Sequence, residues 1–147
     1  MSLPDEVETR VIERAEYVEE AVSILLEKQA LAEDAYLADR SERAIVEREF
    51  HTAIEACIDI AGLLIGTTDR EMPDRYSGRF TVLEEQGILS STTTTQMRRA
   101  AGFRNVLAHQ YGSDIDDKQV YEHLQHDLDV LVAFLDEVRQ FLDINES

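Results

Sequence analysis

Apolar residues in this chain recur at every third or fourth position, and no segment shows the period-two alternation of a half-buried strand. That periodicity leaves a narrow set of folds. Val7, Val11, Ala15, Val18, Val22 and Leu25 form one stripe, expected to run as a helix from about Asp5 to Leu31, with Pro4, Asp5 and Glu6 at its start. The stripe is thin and close to a heptad, which fits either coiled-coil pairing or, more simply, a bundle helix packed on its neighbours. Ala44, Ile45, Ala53, Ile54, Cys57, Ile58, Ala61, Leu64 and Ile65 form a broader face on a second helix. Its breadth predicts a central position, with Ser41 as cap and Gly66 as stop. Val120, Leu124, Leu131, Phe134, Val138 and Phe141 define one last long helix to about Ile144. The expected architecture is all-α: an up-down bundle of four main helices plus a short fifth, with residues 1–147 as a single domain.

The middle of the chain is less regular. Thr67 to Gly78, with Pro73, reads as a loop, and Arg79 to Gly87 as the short helix. The run Ser90-Ser91-Thr92-Thr93-Thr94-Thr95 is β-branched, but it lacks apolar alternation and has no partner strand elsewhere. Ser90 or Ser91 is therefore assigned as the cap of a helix continuing through Met97, Ala100, Ala101, Phe103 and Leu107.

Charge narrows the function classes. The formal net charge is −17, from 14 Lys and Arg against 31 Asp and Glu. No run approaches the length of a membrane span and no charged-then-apolar leader opens the chain, so the expectation is a soluble cytoplasmic protein away from membranes. Cys57 has no second cysteine to pair with. Acidity on this scale also fits folding in a salt-rich cytoplasm, where screening weakens self-repulsion. From Arg70 to Tyr111, however, six basic residues face four acidic ones, a local +2, which leaves −19 for the rest. Either these arginines meet an anion or they pair with surrounding carboxylates.

The chemistry concentrates in Arg104-Asn105-Val106-Leu107-Ala108-His109-Gln110-Tyr111, followed by Gly112. Interleaved apolar residues make this the last turns of a packed helix, with Gly112 just after it, where a left-handed backbone carries little penalty. At about 100° per residue, His109 lies about 140° around the axis from Arg104, and Tyr111 returns to within about 20° of it. Arg104 and Tyr111 are thus expected on one face, with His109 on the flank. Arginine matches a phosphate with paired donors, and histidine moves protons near neutral pH. Together they suit metal-independent RNA cleavage, in which a base takes the 2′-hydroxyl proton and a cation stabilises the phosphoryl oxygens. An acid for the leaving group is also needed, and a symmetric dimer would supply it. His51, Glu55 and Asp59, four apart, form a polar row on the second helix. The row is either solvated or turned into a cleft, where Asp59 or Glu55 orients Arg104 or His109. Asp59 is carried forward as the supporting carboxylate. His123 and His126 have a spacing that a metal can use, but no third ligand stands with them, so no metal site and no cofactor are expected. Glycine-rich phosphate loops and nucleophile elbows are absent.

Arg104-Asn105-x-x-x-His109-x-Tyr111 resembles the R-x4-H-x-Y signature of HEPN-domain proteins, in particular HepT-type toxins that pair with a minimal nucleotidyltransferase (MntA-type) antitoxin. The similarity extends over Phe50 to Gly66, Met72-Pro73-Asp74-Arg75-Tyr76 with Phe80, Gly87-Ile88-Leu89, and Ala101 to His109. The resemblance implies a HEPN-like fold and a metal-independent endoribonuclease toxin of a type VII-like toxin–antitoxin system, with its site at a homodimer cleft. Arg104 would bind the phosphate, His109 would be the acid/base and Asn105 would position them. Tyr111 would be the tyrosine nucleotidylated (AMPylated) by the antitoxin, a bulky negative group beside Arg104 that blocks RNA. A non-catalytic HEPN-like module that binds a nucleotide or a nucleotidyltransferase partner is the alternative.

Overall fold

A computed structural model describes residues 3–146. The elements are α1 (Asp5–Lys28), α2 (Glu33–Ala38), α3 (Arg40–Ile65), α4 (Tyr76–Glu85), α5 (Ser91–His109), a single 3₁₀ turn (Gly112–Asp114), α6 (Asp117–His126) and α7 (Leu128–Glu146). The described residues contain no strand.

The two long N-terminal stripes behave as their periodicity dictates. Val11, Ala15, Val18, Val22 and Leu25 of α1 are buried. The broad face of α3, from Val46 to Ile65, packs against α1, α4, α5 and α7, so α3 is the central helix. Its cap is Asp39 rather than Ser41: the Asp39 carboxylate accepts from the backbone N–H groups of Ser41 (3.0 Å) and Glu42 (3.2 Å). A carboxylate there satisfies two orphan donors and meets the positive end of the helix dipole, which one hydroxyl does less well.

Three further boundaries differ from the periodicity-based expectation. First, α1 ends at Lys28, because α6 takes over the hydrogen bonds beyond it. Gln29 Nε2 donates to the Leu124 carbonyl (2.9 Å), Gln125 Nε2 to the Gln29 carbonyl (3.0 Å), and the Tyr121 hydroxyl to the Leu31 carbonyl (2.7 Å). Second, α4 begins at Tyr76, so Gly78 is helical, and it packs where a Cβ would lie 2.9 Å from Pro73 Cβ. Third, the single C-terminal helix is two, broken at Asp127 (φ −114°, ψ 5°). The break lets Val120 and Leu124 face one core while Leu131, Phe134, Leu135 and Val138 face another. No proline or glycine marks it in the sequence. The short α2 buries Tyr36 in the smaller core.

The main core lies between α1, α3, α4, α5 and α7. The second gathers Leu25, Tyr36, Val46, Phe50, Ile115, Val120, Leu124 and Leu128. Phe103 of α5 touches both and meets Phe50 edge-on, with ring centroids 5.5 Å apart. The Ser/Thr run is helical: the Ser90 hydroxyl caps α5 by accepting from Thr93 N (3.2 Å). Glu137 of α7 accepts from Ser90 N (2.6 Å) and from the Thr93 hydroxyl. Helix α5 is thereby anchored at its start, buried along Met97 and Ala101, and exposed at its last residue, His109.

Candidate functional site

Arg104 is held on three sides. Its Nε donates to Glu55 Oε2 at 2.6 Å, its Nη1 donates to Asn105 Oδ1 at 3.2 Å, and its guanidinium carbon lies 5.2 Å from the centre of the Tyr76 ring. Only 14% of the Arg104 side chain is exposed. A guanidinium stacked on an aromatic and tied to a carboxylate keeps one orientation, because little rotamer freedom remains. Tyr76 also lies under Arg79, whose guanidinium carbon is 5.0 Å from the ring centre. Arg79 reaches across Gly62 to donate to the Ile58 carbonyl at 3.0 Å, and a Cβ on Gly62 would sit 2.5 Å from its Nη1.

The carboxylate that meets Arg104 is Glu55, one helical turn before Asp59, and His51 Nε2 also stands 3.6 Å from it. The polar row of α3 is therefore turned toward the motif at Glu55. Asp59 faces Arg14 instead, with Arg14 Nε 3.5 Å from Asp59 Oδ2. Burial pushes the Asp59 carboxyl above its usual range, the neighbouring Glu55 charge pushes it further, and Arg14 and Arg79 pull it back. Asp59 thus reaches the motif only through the field it shares with Glu55.

Asn105 opens onto a groove of about 470 Å³ between the start of α4 and the flank of α5, lined by Asp74, Arg75, Tyr76, Ser77, Arg98 and Gly102 among others. Among the described residues, Arg75, Arg98 and Arg99 form no ion pair; Arg98 donates to the Thr81 hydroxyl. Of the six arginines between Arg70 and Tyr111, only Arg70 and Arg104 meet carboxylates, at Glu85 and Glu55. His109 is the exposed last residue of α5, one turn beyond Asn105. The groove thus has two open cations, a carboxylate and a carboxamide; Arg104 is bonded to that carboxamide, and His109 lies one helical turn beyond it.

Tyr111 does not continue the helix. Gln110 (φ −113°, ψ 159°) and Tyr111 (φ −157°, ψ 160°) are extended, so the shared face expected for Arg104 and Tyr111 does not exist. The physical reason lies downstream, where Ile115 is buried in the second core and the chain must leave the helix to bring it there. Gly112 has the expected positive φ, +63°, but it serves the following 3₁₀ turn rather than a helix end. Tyr111 is left 81% exposed, on a short arm beyond the site.

His123 and His126 diverge: His123 Nδ1 lies 2.5 Å from Asp127 Oδ2, and His126 Nε2 lies 3.4 Å from Glu122. Sequence reasoning did not single out Tyr76 as the platform for Arg104. The available signal was an aromatic residue inside the arginine-rich loop.

Comparison with known proteins bears on the whole arrangement. Residues 13–138 match the family model described as "Ribonuclease HepT-like". A "Putative RNase" of Archaeoglobus fulgidus is 26% identical over 102 residues, covering 69% of this chain and 71% of that protein. The "mRNA nuclease HepT" of Shewanella oneidensis is 26% identical over 85 residues, covering 58% of this chain and 63% of that protein. Among solved structures, a chain of the complex between the tri-AMPylated Shewanella oneidensis HEPN toxin and its MNT antitoxin superposes with a TM-score of 0.80 at 19% identity. The overlap covers 89% of this chain and 97% of that one. YutE of Bacillus subtilis, described as a cytosolic protein of unknown function, gives 0.80 at 14% identity, over 93% and 91% of the two chains. The all-helical fold matches that of the HEPN toxin along nearly its whole length. No helix among the described residues is long and apolar enough to cross a membrane. With most of its length matched by the family model, the chain belongs to the HepT-like ribonuclease family.

Proposed function

We propose that this chain is the toxin of a toxin–antitoxin pair, an endoribonuclease that cuts RNA without a metal ion and is silenced by nucleotidylation of Tyr111. The observation that carries the reading is the fixed Arg104, braced by Glu55 and Tyr76 and bonded to Asn105, with an exposed His109 one turn beyond Asn105. The RNA backbone enters the groove flanked by Arg75 and Arg98 and meets Arg104 beside Asn105. His109 takes the proton of the 2′-hydroxyl, O2′ attacks the adjacent phosphorus, and the P–O5′ bond breaks. The leaving O5′ takes a proton from an acid. In a homodimer whose two α5 ends face each other, His109 of the second copy supplies it. Arg104 neutralises the charge that builds on the phosphoryl oxygens, and its rigid mounting means little reorganisation at that moment.

The relatives named as RNases, and the structural neighbour complexed with an MNT antitoxin, support the activity and the partner class. Tyr111 is the accessible acceptor: a hydroxyl on an 81% exposed ring, on an arm outside the packed helix, suits an incoming nucleotidyltransferase. A nucleotide added there would add bulk and negative charge just past the end of α5 and compete with RNA phosphate for the motif's cation. Because Tyr111 is off the helix, the block works by occupying the approach rather than by a contact fixed along one helical face.

The test is incubation of single-stranded RNA in EDTA with wild type and His109→Ala, on protein whose intact mass shows no added nucleotide. Cleavage that disappears in the variant is expected. Equal cleavage by both removes His109 from the mechanism, and silence of the unmodified wild type supports the non-catalytic binding module instead. Incubation with an MntA-type antitoxin and ATP should add nucleotide mass to wild type and none to Tyr111→Phe.

A further inference from the structure

On the opposite flank of α5 from the Arg98–Asn105 groove lies a second pocket, of about 210 Å³, at the break between α6 and α7. Its floor is Phe50, Ile54, Val130 and Leu131. One wall stacks Phe103 on His123, ring centroids 4.4 Å apart and tilted by 37°. Asp127, the residue at the break, holds His123 Nδ1 at 2.5 Å, which leaves Nε2 free to bond a ligand. Gln96 and Arg99 complete the rim with an amide and a guanidinium that has no ion-pair partner among the described residues. An apolar floor, an aromatic–imidazole wall and a few polar groups of both signs suit a planar heteroaromatic ring carrying amide and amino edges.

The two pockets lie on either side of the outer ridge of α5, where Thr95, Arg98, Arg99, Gly102 and Asn105 are exposed. Nothing lies within 4 Å of where a Gly102 Cβ would be, so the ridge has a saddle there, and the same glycine lines the Arg98–Asn105 groove. A glycine inside an exposed helix gives up stability relative to alanine, and an open one lets a ligand come close to the backbone. Arg98 stands on one side of the saddle and Arg99 on the other.

We infer that a single RNA strand crosses α5 at Gly102, with its backbone between Arg98 and Arg99 and one unpaired base next to the cut seated in the Phe103–His123 pocket. This rests on the ribonuclease reading and adds the substrate class: single-stranded RNA, with one base position read. Stacking against Phe103 and His123 holds any base, while His123 Nε2, Asp127 and the Gln96 amide discriminate between base edges. A free mononucleotide carries the same ring and phosphate, and the experiment separates the two.

Methyl NMR of Val130 and Leu131, which line the pocket, is recorded on full-length unmodified protein titrated with a fully 2′-O-methylated, uncleavable oligoribonucleotide or with AMP. The oligonucleotide is expected to shift these methyls, with affinity reduced at least fivefold in Arg99→Gln, an exposed change that does not endanger the fold, and in His123→Ala. Gly102→Leu, which blocks the saddle, should weaken the oligonucleotide at least fivefold and leave AMP within twofold. Shifts by AMP as tight as by the oligonucleotide, with Gly102→Leu affecting neither, would make the pocket a mononucleotide site and overturn the strand path. Absence of any shift overturns the pocket itself. Cleavage without these shifts sinks only this inference, whereas oligonucleotide-induced shifts without cleavage sink only the ribonuclease reading.

Discussion

Arg104 earns its fixed position from Glu55, and this pair is where single substitutions are most informative. Removing the carboxylate leaves a mostly buried guanidinium short of its charged partner. Glu55→Ala is therefore expected to cost about 1.5–3 kcal/mol, the scale of a hydrogen bond to a charged group, read by urea unfolding, and to lower cleavage with it. Glu55→Gln keeps an acceptor and should retain most of the stability while still loosening Arg104. Equal stability of wild type and Glu55→Ala would mean that Tyr76 alone holds Arg104. Asp59 gives a different sign. Its carboxyl is raised in the folded state, chiefly by burial and then by Glu55, so ionising it costs stability. Stability from this group is fully present below the unfolded carboxyl pKa and is lost as pH rises through the folded one. Asp59→Asn should raise the thermal midpoint slightly at pH 7 and make no such difference at low pH. A fall at pH 7 would show that the Arg14 contact outweighs burial. At this scale the sequence conveyed the residue types but not the pairing. Glu55 and Asp59 occupy equivalent places in a period-four row, and only the tilt of α3 against α5 decides which one reaches Arg104.

Among the elements, α5 carries the site, and its two ends show what sequence patterns can and cannot convey. Its start was legible, because a Ser cap followed by hydroxyl side chains has a local hydrogen-bonding logic that the structure follows at Ser90 and Thr93. Its end was placed too late, because the stop is not local: Ile115 is drawn into the second core and pulls Gln110 and Tyr111 out of the helix. Ile115→Ala should accordingly cost about 2–5 kcal/mol, as buried isoleucine truncations do, and should increase amide exchange from Gln110 to Asp114 beyond that of the other helices. Unchanged exchange there would mean that the 3₁₀ turn holds itself. The split of α6 from α7 was missed for a related reason. Both halves share one apolar period, and the change of direction comes from having two cores to fill.

At the scale of the whole molecule, a chain of net charge −17 must bind a polyanion through a local surface. The groove and its neighbouring ridge gather Arg75, Arg98 and Arg99, with Arg104 bonded to Asn105 at the groove's edge, in a segment that is net positive inside a strongly negative chain. Four phosphate contacts release about 0.7 counterion each on a single strand, so log K against log salt should fall with a slope of about −3 or shallower. Anisotropy titrations across a salt series measure this, and a slope of zero or above would show that no phosphate is neutralised. The all-helical architecture was legible from periodicity alone. The groove was not, because it lies between α4 and α5 and exists only once those two helices pack against each other.

The most direct measurement of the central claim is the chemistry of the ends left on RNA cut in EDTA by unmodified protein. Attack by the 2′-hydroxyl under His109 and Arg104 requires a 2′,3′-cyclic phosphate on one fragment and a 5′-hydroxyl on the other, as resolved by mass spectrometry. Fragments ending in 3′-hydroxyl and 5′-phosphate, which arise when water is the nucleophile, would contradict the account.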